Sequence, residues 1–143
     1  MRAADLHRLA RTLREIALNA TENTGDDRVN AGELAVMEDV AKHPGATIGE
    51  ITHRTGLAQS LVSRITRAVA DAGALVLTTD PTDRRKVRVE LDAAVRRAIL
   101  ERADNPATSA IEAATPGLSS AERNELELHL SRAAELLRRA DAG

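Results

Sequence analysis

The chain has 143 residues, a formal charge of −2 and no Phe, Tyr or Trp, which suits one domain, or one domain plus an assembly element, around a core of Leu, Ile, Val, Ala and Met. Without Phe, Tyr or Trp no base can stack on a benzene or indole ring, which counts against single-strand binders and RNA modules built on such platforms. The lack of cysteine excludes disulfides, thiol redox sensing and thiolate metal sites.

Met1-Arg2, followed by Asp5, His7 and Arg8, has none of the apolar character of a signal peptide. No apolar run approaches the ~18 residues of a membrane span. The expected compartment is the cytoplasm. Residues 3–20 predict a helix with Leu6, Leu9, Leu13, Ile16, Ala17 and Ala20 on one side and Arg2, Arg8, Arg11 and Arg14 mostly elsewhere. Thr21 to Val29, with Gly25-Asp26-Asp27, is polar and predicts a loop or linker. Asn30 then caps a second helix with Glu33 three residues on, Leu34, Met37 and Val40 or Ala41 inward, and Pro44-Gly45 as its stop.

Thr47 and Glu50 have the spacing of a capping box, opening a short helix with Ile48 and Ile51 on its apolar side. Gly56 supplies a residue that tolerates positive φ at the following turn. The next helix has Leu57, Leu61, Ile65, Ala68, Val69 and Ala72 at helical period, which predicts its buried stripe. Gln59, Ser60, Ser63, Arg64 and Arg67 occupy its other side, with groups suited to base edges and phosphates. Two short helices about a glycine turn, the second with such a face, describe a helix-turn-helix.

Leu75 to Thr79 is β-prone, and Lys86-Val87-Arg88-Val89-Glu90-Leu91 alternates charged with apolar residues, as a half-exposed strand does. Asp80-Pro81 favours the turn between them, giving a wing with Asp83, Arg84, Arg85 and Lys86 near its tip. Between Ile51 and Val89 seven basic residues face three acidic ones, a basic middle between acidic ends. Asp92 caps a further helix with Val95, Ile99 and Ala103 inward, and Asn105-Pro106 predicts a kink or break. Ile111 resumes the apolar pattern, Pro116-Gly117 ends it, and Ser119 with Glu122 forms another capping box. That box opens a last helix with Leu126, Leu130, Ala133 or Ala134, and Leu137 on one side.

The fold expected is mainly α: a winged helix-turn-helix of three helices plus a β-hairpin wing over 30–91. Residues 1–29 form an N-terminal helix and linker, and 92–143 a C-terminal linker and helices. The amphipathic terminal helices offer Leu6, Leu9, Leu13, Ile16, Leu126, Leu130 and Leu137 to a second copy, or to one another within one chain. A symmetric dimer sets two reading helices about one DNA turn apart, ~34 Å, which matches a pseudopalindromic site.

Helix-turn-helix, Asp83-Arg84-Arg85 in a hairpin, Val87-x-Val89-x-Leu91, and Leu118-Ser119-Ser120-Ala121-Glu122 opening the last helix together resemble the MarR family of bacterial transcription regulators. The likeness runs from about Asn30 to Leu137. It implies a homodimer with recognition helices in consecutive major grooves and wings in the adjacent minor grooves. Gln59, Ser60, Ser63 and Arg64 then correspond to the groove-facing side. Asp83 and Arg85 correspond to the wing pair, and Arg67, Arg84 and Lys86 to phosphate contacts. The resemblance also implies a repressor released by a small-molecule effector. Family members often continue the wing's final Leu with Thr and a nearby Gly, whereas Asp92-Ala93-Ala94 follows Leu91 here. Members that bind aromatic acids do so in a cleft, which in this chain would have no aromatic walls.

No enzyme is expected. His7, His43, His53 and His129 fall in no catalytic pattern, and Asp80 with Asp83 sits beside cations that depress carboxylate pKa values, the wrong direction for a general acid. Glu125 and His129 at i, i+4 make half a metal site at most, so neither metal nor cofactor is expected. The expected partners are double-stranded DNA, a second copy and a small-molecule effector, with no membrane. The alternative is a winged-helix module that binds protein without reading DNA sequence. Clustered guanidinium at Arg64, Arg67, Arg84 and Arg85 favours the first.

Overall fold

A computed structural model describes residues 1–26 and 28–142. Asp27, in the expected polar loop, lies outside the described residues. The chain divides into two compact units: residues 23–105, and residues 1–22 together with the segment from Pro106 onward.

The first unit begins with a clasp in which the Asn23 side chain accepts from the Val29 N–H and donates to its carbonyl. Asn30 accepts from the Glu33 N–H at 2.8 Å and caps α1 (Ala31–Lys42). The chain turns at Gly45, φ +78°, and runs through a two-residue strand, β1 (Ala46–Thr47), into α2 (Ile48–Thr55). Gly56, φ +69°, closes α2 in the left-handed conformation. α3 (Gln59–Asp71) follows, then β2 (Leu75–Thr79), β3 (Val87–Leu91) and α4 (Ala93–Ala103), capped by Asp92. The sheet is antiparallel in the order β1-β3-β2, with Ala46 opposite Val89 and Thr79 opposite Val87. β1 is an addition to the expected two-stranded hairpin. Two residues are too few for a period-2 signal, and only the pairing to β3 defines them.

Val36, Val40, Ala41, Ile51, Val62 and Val89 are wholly buried in one cluster with Ala46, Ile65, Val69, Leu75 and Leu91. Several expected positions shift. In α3, Val62 and Thr66 are buried with Ile65 and Val69, while Ala68 and Ala72 are exposed. Thr66 is tolerated there because its hydroxyl donates to the Ser63 carbonyl, 3.0 Å. Val36 is buried in α1, with Leu34 and Met37 only half-buried. In α4, Ala103 is exposed and Leu100 packs on the core with Val95 and Ile99. Thr47 accepts from the Glu50 N–H at 3.2 Å, so the hydroxyl half of the expected capping box forms. The Glu50 carboxylate lies 3.9 Å from Arg54.

In the second unit, α5 (Ala3–Ala20), α6 (Thr108–Ala114) and α7 (Ser120–Asp141) complete the fold. The Asn105-Pro106 dipeptide separates α4 from α6 outright, as expected from a residue without a backbone donor. Ile16, Ala110 and Ile111 form a small core, flanked by Leu13, Leu126 and Leu130. Arg123 fastens α7 to α6, donating to the Thr115 carbonyl and pairing with Glu112 at 3.3 Å. The Ser119–Glu122 capping box forms in both directions. Hydrogen bonds from the Ser119 N–H and hydroxyl hold the Glu122 carboxyl below its ordinary pKa. No residue of α7 is buried, and Leu6, Leu128 and Leu137 are well exposed. Leu18, absent from the expected stripe, is buried, while Ala17 is exposed. Among the described residues no helix is long and apolar enough to cross a membrane.

Candidate nucleic-acid interface

The exposed side of α3 follows from the burial of Val62, Ile65, Thr66 and Val69 on the other. Ser60, Ser63, Arg64, Arg67, Ala68 and Asp71 line one shallow depression along it. Gln59, Ser60, Arg64 and Arg67 are exposed and Ser63 half-buried. Ala58 at the N-cap has no side-chain acceptor for the first N–H groups of the helix, which leaves a partial positive end. Among the described residues Arg64, Arg67, Arg84 and Lys86 make no ion pair or side-chain hydrogen bond, so their charges are free to meet an external anion.

The wing tip is built around a carboxylate. Asp80 is buried, and one of its oxygens accepts from the Thr82 N–H (2.8 Å), the Thr82 hydroxyl (2.7 Å) and the Asp83 N–H (3.2 Å). These bonds, Thr82's foremost, with a further one from Arg88, hold the Asp80 carboxyl far below its ordinary pKa and keep it ionised. Two backbone bonds close the loop, Asp80 N–H to the Lys86 carbonyl and Lys86 N–H to the Asp83 carbonyl, both 2.9 Å. Asp83 accepts from the Arg85 N–H at 3.1 Å and from Arg85 Nε at 3.3 Å. The Arg85 side chain remains 93% exposed, so the pairing aims the guanidinium without covering it.

Gln59, Ser60, Ser63, Arg64 and Arg67 therefore gather on one helix, and Asp83, Arg84, Arg85 and Lys86 on one hairpin tip, within the same unit. Two other cations of the basic middle serve the fold. Arg54 forms a two-pronged bridge to Asp39 at 2.8 and 2.9 Å, joining α2 to α1, and this partner holds its pKa above the ordinary value. Arg88 is tied to Asp80. The strand alternation marked Arg88 only as charged, yet the hairpin register contains the missing signal. Thr78 opposes Arg88, which places Asp80, two residues on, diagonally beside it on the same face. Of the leucine-rich positions assigned to assembly, Ile16 is buried within its own unit, Leu9, Leu13, Leu126 and Leu130 are half-buried, and Leu6 and Leu137 are exposed. Glu125 and His129 lie 3.5 Å apart on solvated α7, and among the described residues no group of three ligand-type side chains could hold a metal.

Several solved transcriptional regulators share this fold. The reduced form of MarR from E. coli superposes with a TM-score of 0.72 at 16% identity, over 93% of this chain and 96% of that one. The PcaV transcriptional regulator from Streptomyces coelicolor, in complex with its natural ligand, gives 0.61 at 18% identity, over 94% and 93%. Bordetella bronchiseptica BpsR, whose DNA binding is regulated by 6-hydroxynicotinic acid, gives 0.59 at 21% identity, over 90% and 96%. At such identities these likenesses establish the fold. No curated protein matches the chain by sequence. The family model for MarR matches residues 29–87, from the residue before the Asn30 cap to the first residue of β3, so over its winged helix-turn-helix the chain is similar to the MarR family of transcription regulators.

Proposed function

We propose that this chain is a sequence-specific, double-stranded DNA-binding transcription regulator, a homodimeric repressor whose hold on a pseudopalindromic operator is changed by a small-molecule effector. Gln59, Ser60, Ser63 and Arg64 read base edges in the major groove. Arg85, aimed by Asp83, enters the minor groove, where narrow A·T tracts concentrate negative potential. Arg67, Arg84 and Lys86 meet phosphates. The observation that carries this reading is the pair of basic surfaces, Arg64 and Arg67 on the outer side of α3 and Arg84 and Lys86 beside the exposed Arg85 at a fixed hairpin tip, in a protein whose net charge is negative.

Exposed Leu6 and Leu137 support a second copy as the partner of the terminal helices. Effector control is taken from regulators such as BpsR, whose DNA binding responds to 6-hydroxynicotinic acid. Any such ligand here is held without Phe, Tyr or Trp walls, since the chain has none.

Anisotropy titration with duplex from the DNA upstream of its own gene, against a scrambled duplex, tests the proposal. Expected are preference for the upstream duplex and an affinity that falls steeply with salt, because several phosphates are neutralised. A flat salt response would favour the protein-binding module.

A further inference from the structure

Arg88 is the one wing guanidinium committed on two sides. It donates from Nε to one Asp80 oxygen at 2.8 Å, with Nη2 in ion-pair contact with the same oxygen at 2.7 Å, and from Nη1 to the Gly45 carbonyl at 2.9 Å. The second Asp80 oxygen is taken by the tip, through Thr82 and Asp83. One carboxylate thus has an oxygen turned to the loop and an oxygen turned to Arg88, while Arg88 grips the backbone at the turn between α1 and β1. The line Thr82–Asp80–Arg88–Gly45 fastens the far end of the hairpin to the body of the winged unit. Only a planar fork spans both acceptors, so a lysine ammonium would hold one at a time.

Hairpin tips ordinarily sit at the soft end of a protein's local stabilities. A tip that is already ordered loses less conformational freedom when it binds, and what it presents arrives in a fixed direction. We propose that Arg88 is a positioning residue for the wing: through Asp80 and Gly45 it sets the direction from which Arg85 meets the minor groove, without touching DNA itself. This deepens the DNA-binding reading and rests on it.

Charge and geometry make opposite forecasts for one substitution. Asp80→Asn retains an acceptor for Thr82 and Asp83 but loses the anion facing Arg88, and it makes the wing more positive. Were charge alone at issue, the variant would bind the upstream duplex more tightly. The latch requires it to bind about tenfold more weakly, and Arg88→Gln likewise, although the two change the net charge in opposite directions. The effect must also pass through Arg85: in an Arg85→Ala background, Arg88→Gln should change affinity less than about twofold. Tighter binding by Asp80→Asn, or additive losses in the double variant, would overturn the assignment.

Amide hydrogen exchange on the DNA-free protein gives an independent reading. Arg88→Gln should speed exchange at residues 82–86 about tenfold while the amides of α3 keep their protection. Unchanged exchange at the tip removes the latch whatever the DNA does. Arg88→Lys, which keeps a cation and one acceptor, should fall between wild type and Arg88→Gln in both measurements, and serves if the glutamine variant folds poorly. If the wild-type chain binds no duplex, the DNA-binding reading fails, and the exchange experiment still decides whether Arg88 holds the tip.

Discussion

The two units of the chain are stabilised in different ways. In residues 23–105, helices α1 to α4 and a three-stranded sheet enclose a continuous aliphatic core, with Ile51, Val36, Val40, Val62 and Val89 removed from water. In the terminal unit the core is Ile16, Ala110 and Ile111, and the 22-residue α7 has no buried residue at all. A helix gains most of its stability from packing an amphipathic face. The winged unit thus has what it needs within one chain, and the terminal unit has leucine surface to spare. Under the proposed function this is a division of labour: one region is rigid enough to present side chains to a groove, and the other remains incompletely satisfied until a second copy arrives.

The largest test of that contrast is in the winged core. Ile51→Ala should lower unfolding free energy by about 2–5 kcal/mol, from lost transfer energy plus the cavity left behind. Urea denaturation that showed a loss well under 1 kcal/mol would mean the core is looser than its burial implies. Next is the exposed tip, where Arg85→Ala should weaken operator binding by about 1–3 kcal/mol with the melting temperature unmoved. Unchanged affinity at fixed salt would remove Arg85 from the interface. Smaller again, Leu137→Gln should weaken self-association by about 1–2 kcal/mol, on the scale of one buried leucine, while secondary structure persists. Sedimentation across a dilution series reads this directly, and a wild-type chain that sediments at 15.3 kDa at every concentration would refute the dimer.

The smallest effect is one of pH. The Asp80 carboxyl titrates lower in the folded protein than in the unfolded chain. Its contribution to stability is complete above the unfolded value, near 4, and is lost as pH falls from there toward the folded one. The stability difference between wild type and Asp80→Asn should therefore be constant above about pH 5 and shrink on acidification below about 4. A difference that grew as the pH fell would reverse the sign and break the assignment.

Much of this was legible in the sequence because local signals and global fold agreed. The Asn30 and Ser119 caps, the Gly56 turn, the hairpin about Asp80-Pro81 and the break at Asn105-Pro106 are chemistry of neighbours, and each is found in place. Tertiary geometry was harder to read. Ala68 and Ala72 fit a helical stripe as well as Val62 does, and only the placement of the surrounding helices and sheet exposes the first two and buries the third. A buried threonine such as Thr66 contradicts a purely apolar pattern until its bond to Ser63 is known. The wing's cations looked alike in sequence. The hairpin register separates Arg88, which is paired with Asp80, from Arg84 and Lys86, which have no such partner on the hairpin.

The brief strand β1 has a mechanical consequence. Ala46 and Thr47 lead directly into α2 and pair with Val89 and Arg88 on the returning arm of the hairpin. The helix pair and the finger therefore share a crossbeam, and the span between them is set by the protein. Under the proposed function, a duplex whose two grooves do not match that span must bend or twist to fit, so flexible pyrimidine–purine steps between the contacted bases would be favoured even where no side chain touches them.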